Sequence, residues 1–131
     1  MTTTQVINAQ SIGTSTNKGH DLFAIRLTPA AASDRFYVEA VVTNGAGTFN
    51  RSSKIAVWVA TYNASITASG APAIMRHTAK MLDVIMESTS AAVTSYTSDL
   101  IPLGGPYIYL WLDVPTLPAA STISVWIHEG P

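Results

Sequence analysis

The chain of 131 residues contains no cysteine and few charged residues. The lack of cysteine excludes disulfide bridges, zinc-thiolate sites and thiol nucleophiles. Charged residues make up 11% of the chain, whereas roughly 25% is usual in soluble domains. A monomer would therefore expose an unusually uncharged surface, and the composition favours burial of part of that surface in an assembly.

Positive charge is also sparse, because the seven Lys and Arg residues are scattered and the net charge is −1. Without a basic stripe to neutralise phosphates, no nucleic-acid partner is predicted. No uncharged apolar run approaches the roughly 18 residues that cross a bilayer. The start MTTTQVINAQ lacks the basic and apolar regions of a secretory signal. We therefore predict no membrane partner, and we expect synthesis in a cytoplasm.

Motifs that carry catalysis or hold metals are missing from the sequence, including H-E-x-x-H, H-x-H and G-x-S-x-G. The histidines are His20, His77 and His128, and an acidic residue follows the first and the last. Adjacent residues on a strand point to opposite faces, so neither doublet forms an acid–base pair. Asp83 and Glu87 would lie roughly 13 Å apart on a strand, too far for a glycosidase pair. The sequence predicts no enzyme, no cofactor and no metal site.

What the chain does contain is a series of short segments that alternate between apolar and polar residues. The clearest is RFYVEAVVT, in which Phe36, Val38, Ala40 and Val42 alternate with mostly polar neighbours. The segments with this period are 22–28, 35–43, 54–62, 106–114 and 121–128. Turn-like tracts separate them, which predicts an all-β fold, an antiparallel β-sandwich of seven or eight strands for which a jelly roll is one arrangement. Residues 1–18 are predicted to form an N-terminal arm or an edge strand, and residues 19–131 a single β-sandwich domain.

The segment 72–89 is compatible with two structures. Pro72 suits the first turn of a helix, and a passable apolar stripe follows it. The β-branched Val84 and Ile85, in an otherwise β-rich chain, favour a strand over about 80–88. We predict the strand, with at most one short helix before it.

The stretch GGPYIYLWLDV is apolar on both faces, since residues 107–112 run without a polar residue. If the last two strands pair across the loop PTLPAA with Leu110 opposite Val125, one face is entirely aliphatic and forms the core. That core face consists of Ile108, Leu110, Leu112, Ile123, Val125 and Ile127. The second face carries Tyr107, Tyr109, Trp111, Trp126 and His128.

Three kinds of cover would bury this aromatic second face. The first is the N-terminal arm or a long loop of the same chain. The second is a neighbouring subunit, since Tyr and Trp are enriched where partners bury surface. The third is a ligand, for instance a sugar stacked on Tyr109 or Trp126. The subunit interface is favoured, because the N-terminal arm has only Val6, Ile7 and Ile12 as apolar residues.

In the general character of its sequence, the chain resembles small β-sandwich structural proteins of tailed bacteriophages, such as head decoration proteins and tail- or fibre-associated subunits. The resemblance is carried by its Ala, Ser and Thr content, its lack of cysteine, and its ending GGPYIYLWLDVPTLPAASTISVWIHEGP. It implies a non-enzymatic virion component that is a homo-oligomer and docks on other virion or scaffold proteins. The alternative is a lectin-like carbohydrate-binding module that uses exposed Trp and Tyr side chains.

Overall fold

The computed structural model describes residues 1–13, 15–44, 54–85, 93–117 and 120–131. Strands dominate, which confirms the predicted all-β class. The strands are β1 (Thr2–Ser11), β2 (Gly19–Leu27), β3 (Arg35–Thr43), β4 (Lys54–Tyr62), β5 (Lys80–Ile85), β6 (Val93–Thr97), β7 (Ile101–Pro102), β8 (Tyr107–Val114) and β9 (Thr122–Gly130). One short α-helix, α1 (Ala71–Met75), and 3₁₀ turns at Ser15–Asn17 and Ala68–Gly70 complete the described elements.

The strands form two antiparallel sheets that pack face to face. The front sheet has the order β1-β9-β3-β6, with the short β7 also paired to β3. The back sheet has the order β2-β8-β4-β5. Leaving β7 aside, the first strand pairs with the last, the second with the next to last, and so on inward. This order is that of a jelly roll.

The predicted hairpin between the last two strands is wrong. β8 lies in the back sheet between β2 and β4, and β9 lies in the front sheet between β1 and β3. Leu110 therefore pairs with Ile25 and Val59, and Val125 pairs with Ile7 and Ala40. Alternation determines which side chains face the core, but it is equally compatible with a hairpin and with a crossing from one sheet to the other.

The core lies between the two sheets and contains the aliphatic face that the sequence predicted. The six residues of that face are at most 1% exposed: Ile108, Leu110, Leu112, Ile123, Val125 and Ile127. The alternating residues of β3 are equally buried, from Phe36 to Val42. The core prediction is thus confirmed even though the strands that supply it belong to different sheets.

The N-terminal residues form an edge strand of the front sheet. β1 pairs with β9, and Ile7 and Ile12 are buried in the main core. Its ladder is irregular between Gln5 and Gln10, where Ala9 has a positive φ of 46°. This first segment is therefore part of the sandwich and covers neither outer face.

The ambiguous segment contains both of the structures considered for it. Pro72 lies in the first turn of α1, and the strand β5 begins at Lys80. The predicted strand is seen as far as Ile85, and its last predicted residues, 86–88, lie outside the described residues.

Candidate functional site

The five aromatic and histidine residues predicted to share one face lie on opposite sides of the molecule. Tyr107, Tyr109 and Trp111 are on the outer face of the back sheet, and Trp126 and His128 are on the outer face of the front sheet. The expectation that they form one surface is wrong, because it depended on the hairpin between β8 and β9.

The outer face of the back sheet is covered by the chain itself. Residues 63–79, here called the cover segment, pass over it, and Tyr109 and Trp111 are 0% exposed. Both rings pack in a small second core with Ala71 and Met75 of α1. Of the three covers considered for these rings, the structure contains the first, a long loop of the same chain.

Hydrogen bonds of Tyr109 hold the cover segment in place. The Tyr109 hydroxyl donates to the Ala64 carbonyl oxygen at 2.9 Å and accepts from the Ile66 amide at 2.9 Å. A buried Tyr usually packs its ring among apolar side chains and forms hydrogen bonds with its hydroxyl, as Tyr109 does here with the loop backbone. Tyr107, half-buried beside it, has the Arg26 guanidinium 5.8 Å from its ring centre.

A polar cluster joins the first residues of β2 to the strands β8 and β4 of the same sheet. The Asp113 carboxylate accepts hydrogen bonds from the Asp21 amide and the Trp58 indole, both at 3.0 Å, and lies 3.3 Å from His20 Nδ1. Burial raises the pKa of the Asp113 carboxyl, but the hydrogen bonds from Asp21, Trp58 and His20 together lower that pKa below its ordinary value. Arg76 of the cover segment pairs with the Asp21 carboxylate. The cluster therefore fixes the β2 end and the cover segment against the sheet.

Beside this cluster is an open cleft of about 380 Å³. Its rim carries His20, Asp113 and Asp83, and the last of these is 3.4 Å from the ammonium group of Lys54. In the described part of the chain, no group of three or more His, Asp or Glu side chains is placed to hold a metal ion. The polar groups of the cleft are mostly engaged with one another.

The outer face of the front sheet is different, because its aromatic residues are partly exposed and lie beside polar ones. In the strand register, Trp126 lies between Gln5 of β1 and Glu39 of β3. The next row places His128 between Thr3 and Tyr37. We call this surface, made by Trp126, His128, Tyr37, Glu39 and Val41, the Trp126 face.

The histidine of the Trp126 face is held on three sides. His128 Nε2 is 2.8 Å from a Glu39 carboxylate oxygen, and His128 Nδ1 is 2.9 Å from the Thr3 hydroxyl. The Tyr37 ring stacks on the imidazole with centroids 4.6 Å apart and planes at 19°. These contacts fix the position of the His128 side chain. The five residues that define the face remain partly exposed. The 3₁₀ turn and the helix of the cover segment contact β2, which belongs to the back sheet.

Sequence reasoning found Trp126 and His128 but missed their neighbours on the face. Tyr37 and Glu39 stood on the polar side of the clearest alternating segment, which was the available signal. Assigning them to His128 requires the pairing of β3 with β9, strands that are about ninety residues apart in sequence.

No family model matches the chain, and no curated protein matches it. Among the described residues, no helix is both long and apolar enough to span a membrane.

Proposed function

We propose that this chain is a non-enzymatic structural protein that works by assembly, as a virion component of a tailed bacteriophage that decorates the capsid or associates with the tail. The observation that supports this function best is the Trp126 face. It is a sheet surface whose five residues remain partly exposed, with Trp126 near its centre, whereas the other sheet is covered by residues 63–79 of the chain.

The chemistry of the Trp126 face suits contact with another protein. Its aromatic side chains offer large apolar area at little cost in conformational entropy, and such residues are enriched at interfaces. Its one carboxylate, Glu39, already has His128 Nε2 at 2.8 Å, so a partner that covers the face would not leave this carboxylate without a hydrogen-bond partner. The surrounding Thr3, Gln5 and Ser124 provide a polar rim.

The virion setting comes from the resemblance in sequence and from the fold. Jelly rolls are recurrent in viral capsid domains, but they also occur in lectins and enzymes, so the fold supports the class of protein only by analogy. The partners on this proposal are further copies of the chain and other virion or scaffold proteins.

Sedimentation velocity over a range of protein concentrations tests the proposal. We expect reversible oligomers at concentrations from about 1 to 100 μM, the range in which an interface of about −6 to −8 kcal/mol is populated. A chain that stays monomeric throughout this range, and binds no isolated capsid or tail particle, would contradict an assembly function.

A lectin-like function is the second candidate, and the row Gln5–Trp126–Glu39 favours it. An indole between an amide and a carboxylate places a stacking surface next to groups that bind sugar hydroxyls. Titration with neutral oligosaccharides, followed by tryptophan fluorescence, separates the two candidates. Saturable quenching that Trp126→Phe weakens and Trp58→Phe leaves unchanged would favour the lectin.

A further inference from the structure

Among the described strands, four lie at the edges of the two sheets, and three of them carry features that prevent pairing with another chain. β1 has two register irregularities between Gln5 and Gln10, and β2 has two between Gly19 and Ile25. In β2, moreover, Phe23 has a positive φ of 53°. Such bulges twist an edge and stop a foreign strand from adding to it.

β5, the other edge of the back sheet, is protected by charge. It carries Lys80 and Asp83 within six residues, and inserted charges are a common protection of sheet edges. The short β7, next to β6 on the front-sheet edge, ends in Pro102, which has no amide hydrogen to donate.

β6 has none of these features. Its sequence VTSYT contains no charge, glycine or proline. It pairs with β3 in five consecutive positions without an irregularity, from Thr97 opposite Glu39 to Val93 opposite Thr43. Val93 is 63% exposed, and Ser95 and Thr97 are also exposed. Among the described strands, β3 is its one partner.

The hydrogen-bond pattern shows which backbone groups of β6 point away from β3. The Ser98 amide donates to the Val38 carbonyl at 2.8 Å, so these two residues occupy a hydrogen-bonded position of the ladder. Such positions alternate in antiparallel pairs. Thr94 and Tyr96 therefore bond to β3, and the amide and carbonyl groups of Val93, Ser95 and Thr97 face the side of β6 that has no partner among the described strands.

We propose that a second copy of this chain pairs with this edge, β6 to β6, antiparallel about a two-fold axis at Ser95. This register aligns all three outward-facing residues, with Ser95 opposite its own counterpart and Val93 opposite the counterpart of Thr97. It forms about six backbone hydrogen bonds, two for each of the three pairs. Small and β-branched side chains lie opposite one another, and no like charges meet. This pairing rests on the proposed assembly function, and a second copy of the chain is the first partner in that assembly.

The dimer would have one continuous front sheet of eight main strands. Because β9 is two strands from the shared edge and Trp126 lies in the row of Thr97, two residues from the axis, the two copies of Trp126 would be five strand spacings apart across the sheet and four residues apart along it, roughly 27 Å in all, on the same side of this sheet. The pairing thereby joins two Trp126 faces into one continuous, twisted sheet surface for docking on a larger shell.

The absence of cysteine makes disulfide trapping a direct test. In Ser95→Cys, the two thiols would lie on opposed residues with Cα atoms about 5.5 Å apart, within the range of disulfides. Thr97→Cys is the matched control on the same face of the same strand, because its counterpart would be about 13 Å away along the strand. Under mild oxidation we expect Ser95→Cys to form covalent dimers at least roughly tenfold faster than Thr97→Cys, since only the first pair meets disulfide geometry. Both variants should retain the wild-type melting temperature.

Equal rates for the two variants would overturn the pairing. If the wild-type chain forms oligomers and Ser95→Cys gives no selective dimer, the β6 inference fails while the assembly function stands. If the wild-type chain is monomeric, binds no isolated capsid or tail particle, and neither variant crosslinks, both fail.

Discussion

Removing the hydroxyl of Tyr109 should loosen the cover segment without creating a cavity. Tyr109→Phe keeps the buried ring, which is 0% exposed, and deletes one donor and one acceptor. The Ala64 carbonyl and the Ile66 amide then lose their partners at 2.9 Å. Leaving a buried backbone group unpaired costs about 1–3 kcal/mol of unfolding free energy. The cost is in the lower half of this range where water can reach the group through the loop.

The measurement is urea unfolding followed by tryptophan fluorescence, with a melting temperature as a second readout. A loss of about 2 kcal/mol corresponds to a fall of roughly 6 °C for a domain of this size. Tyr107→Phe is the control, because its half-buried hydroxyl makes no hydrogen bond within the described part of the chain, and it should stay within about 0.5 kcal/mol of wild type. A Tyr109→Phe protein as stable as this control would refute the role given to the hydroxyl.

Two further changes test the core and the polar cluster. Leu110→Ala should cost about 2–5 kcal/mol in unfolding free energy, since Leu110 is 0% exposed; a cost below about 0.5 kcal/mol would mean that the site is not core. The lowered pKa of Asp113 means that its ionised form stabilises the fold above about pH 4 and that this contribution is lost as the pH falls through the folded-state pKa. Asp113→Asn should therefore flatten the acid-side fall in stability, measured by urea unfolding below about pH 4; an unchanged slope would count against the cluster.

The sequence predicted the inward-facing residues of the regular strands well. Phe36 to Val42 in β3, and Leu110 and Val125 in the last two long strands, are buried as their alternation indicates. Strict alternation would place the adjacent Leu22 and Phe23 of β2 on opposite faces, but both pack against the main core. The positive φ of Phe23 and the register irregularities turn the chain there. No feature of the local sequence predicted either of them.

The strand partners could not be predicted, and the candidate site depended on them. A strand with apolar residues on both faces, such as β8, indicates a second covered surface but not what covers it. In the structure that cover is α1 and its preceding loop, anchored by Tyr109. Trp126 faces the other side, because β9 lies in the front sheet whereas the preceding strand β8 lies in the back sheet, as most consecutive strands of a jelly roll do.

Trp126→Ala, measured for molar mass and melting temperature on the same sample, tests most directly whether the Trp126 face is an interface. The account predicts that association through this face weakens by about 2 kcal/mol or more, roughly thirtyfold in Kd, as for an aromatic hot spot, whereas a β6-paired dimer, whose contact does not include Trp126, is retained. The melting temperature of the subunit should fall by only a few degrees, since the ring is already partly exposed in it. Trp126→Phe is the control and should retain most of the association. An oligomer of unchanged mass and affinity with a strongly lowered melting temperature would show that Trp126 serves the fold and not the assembly.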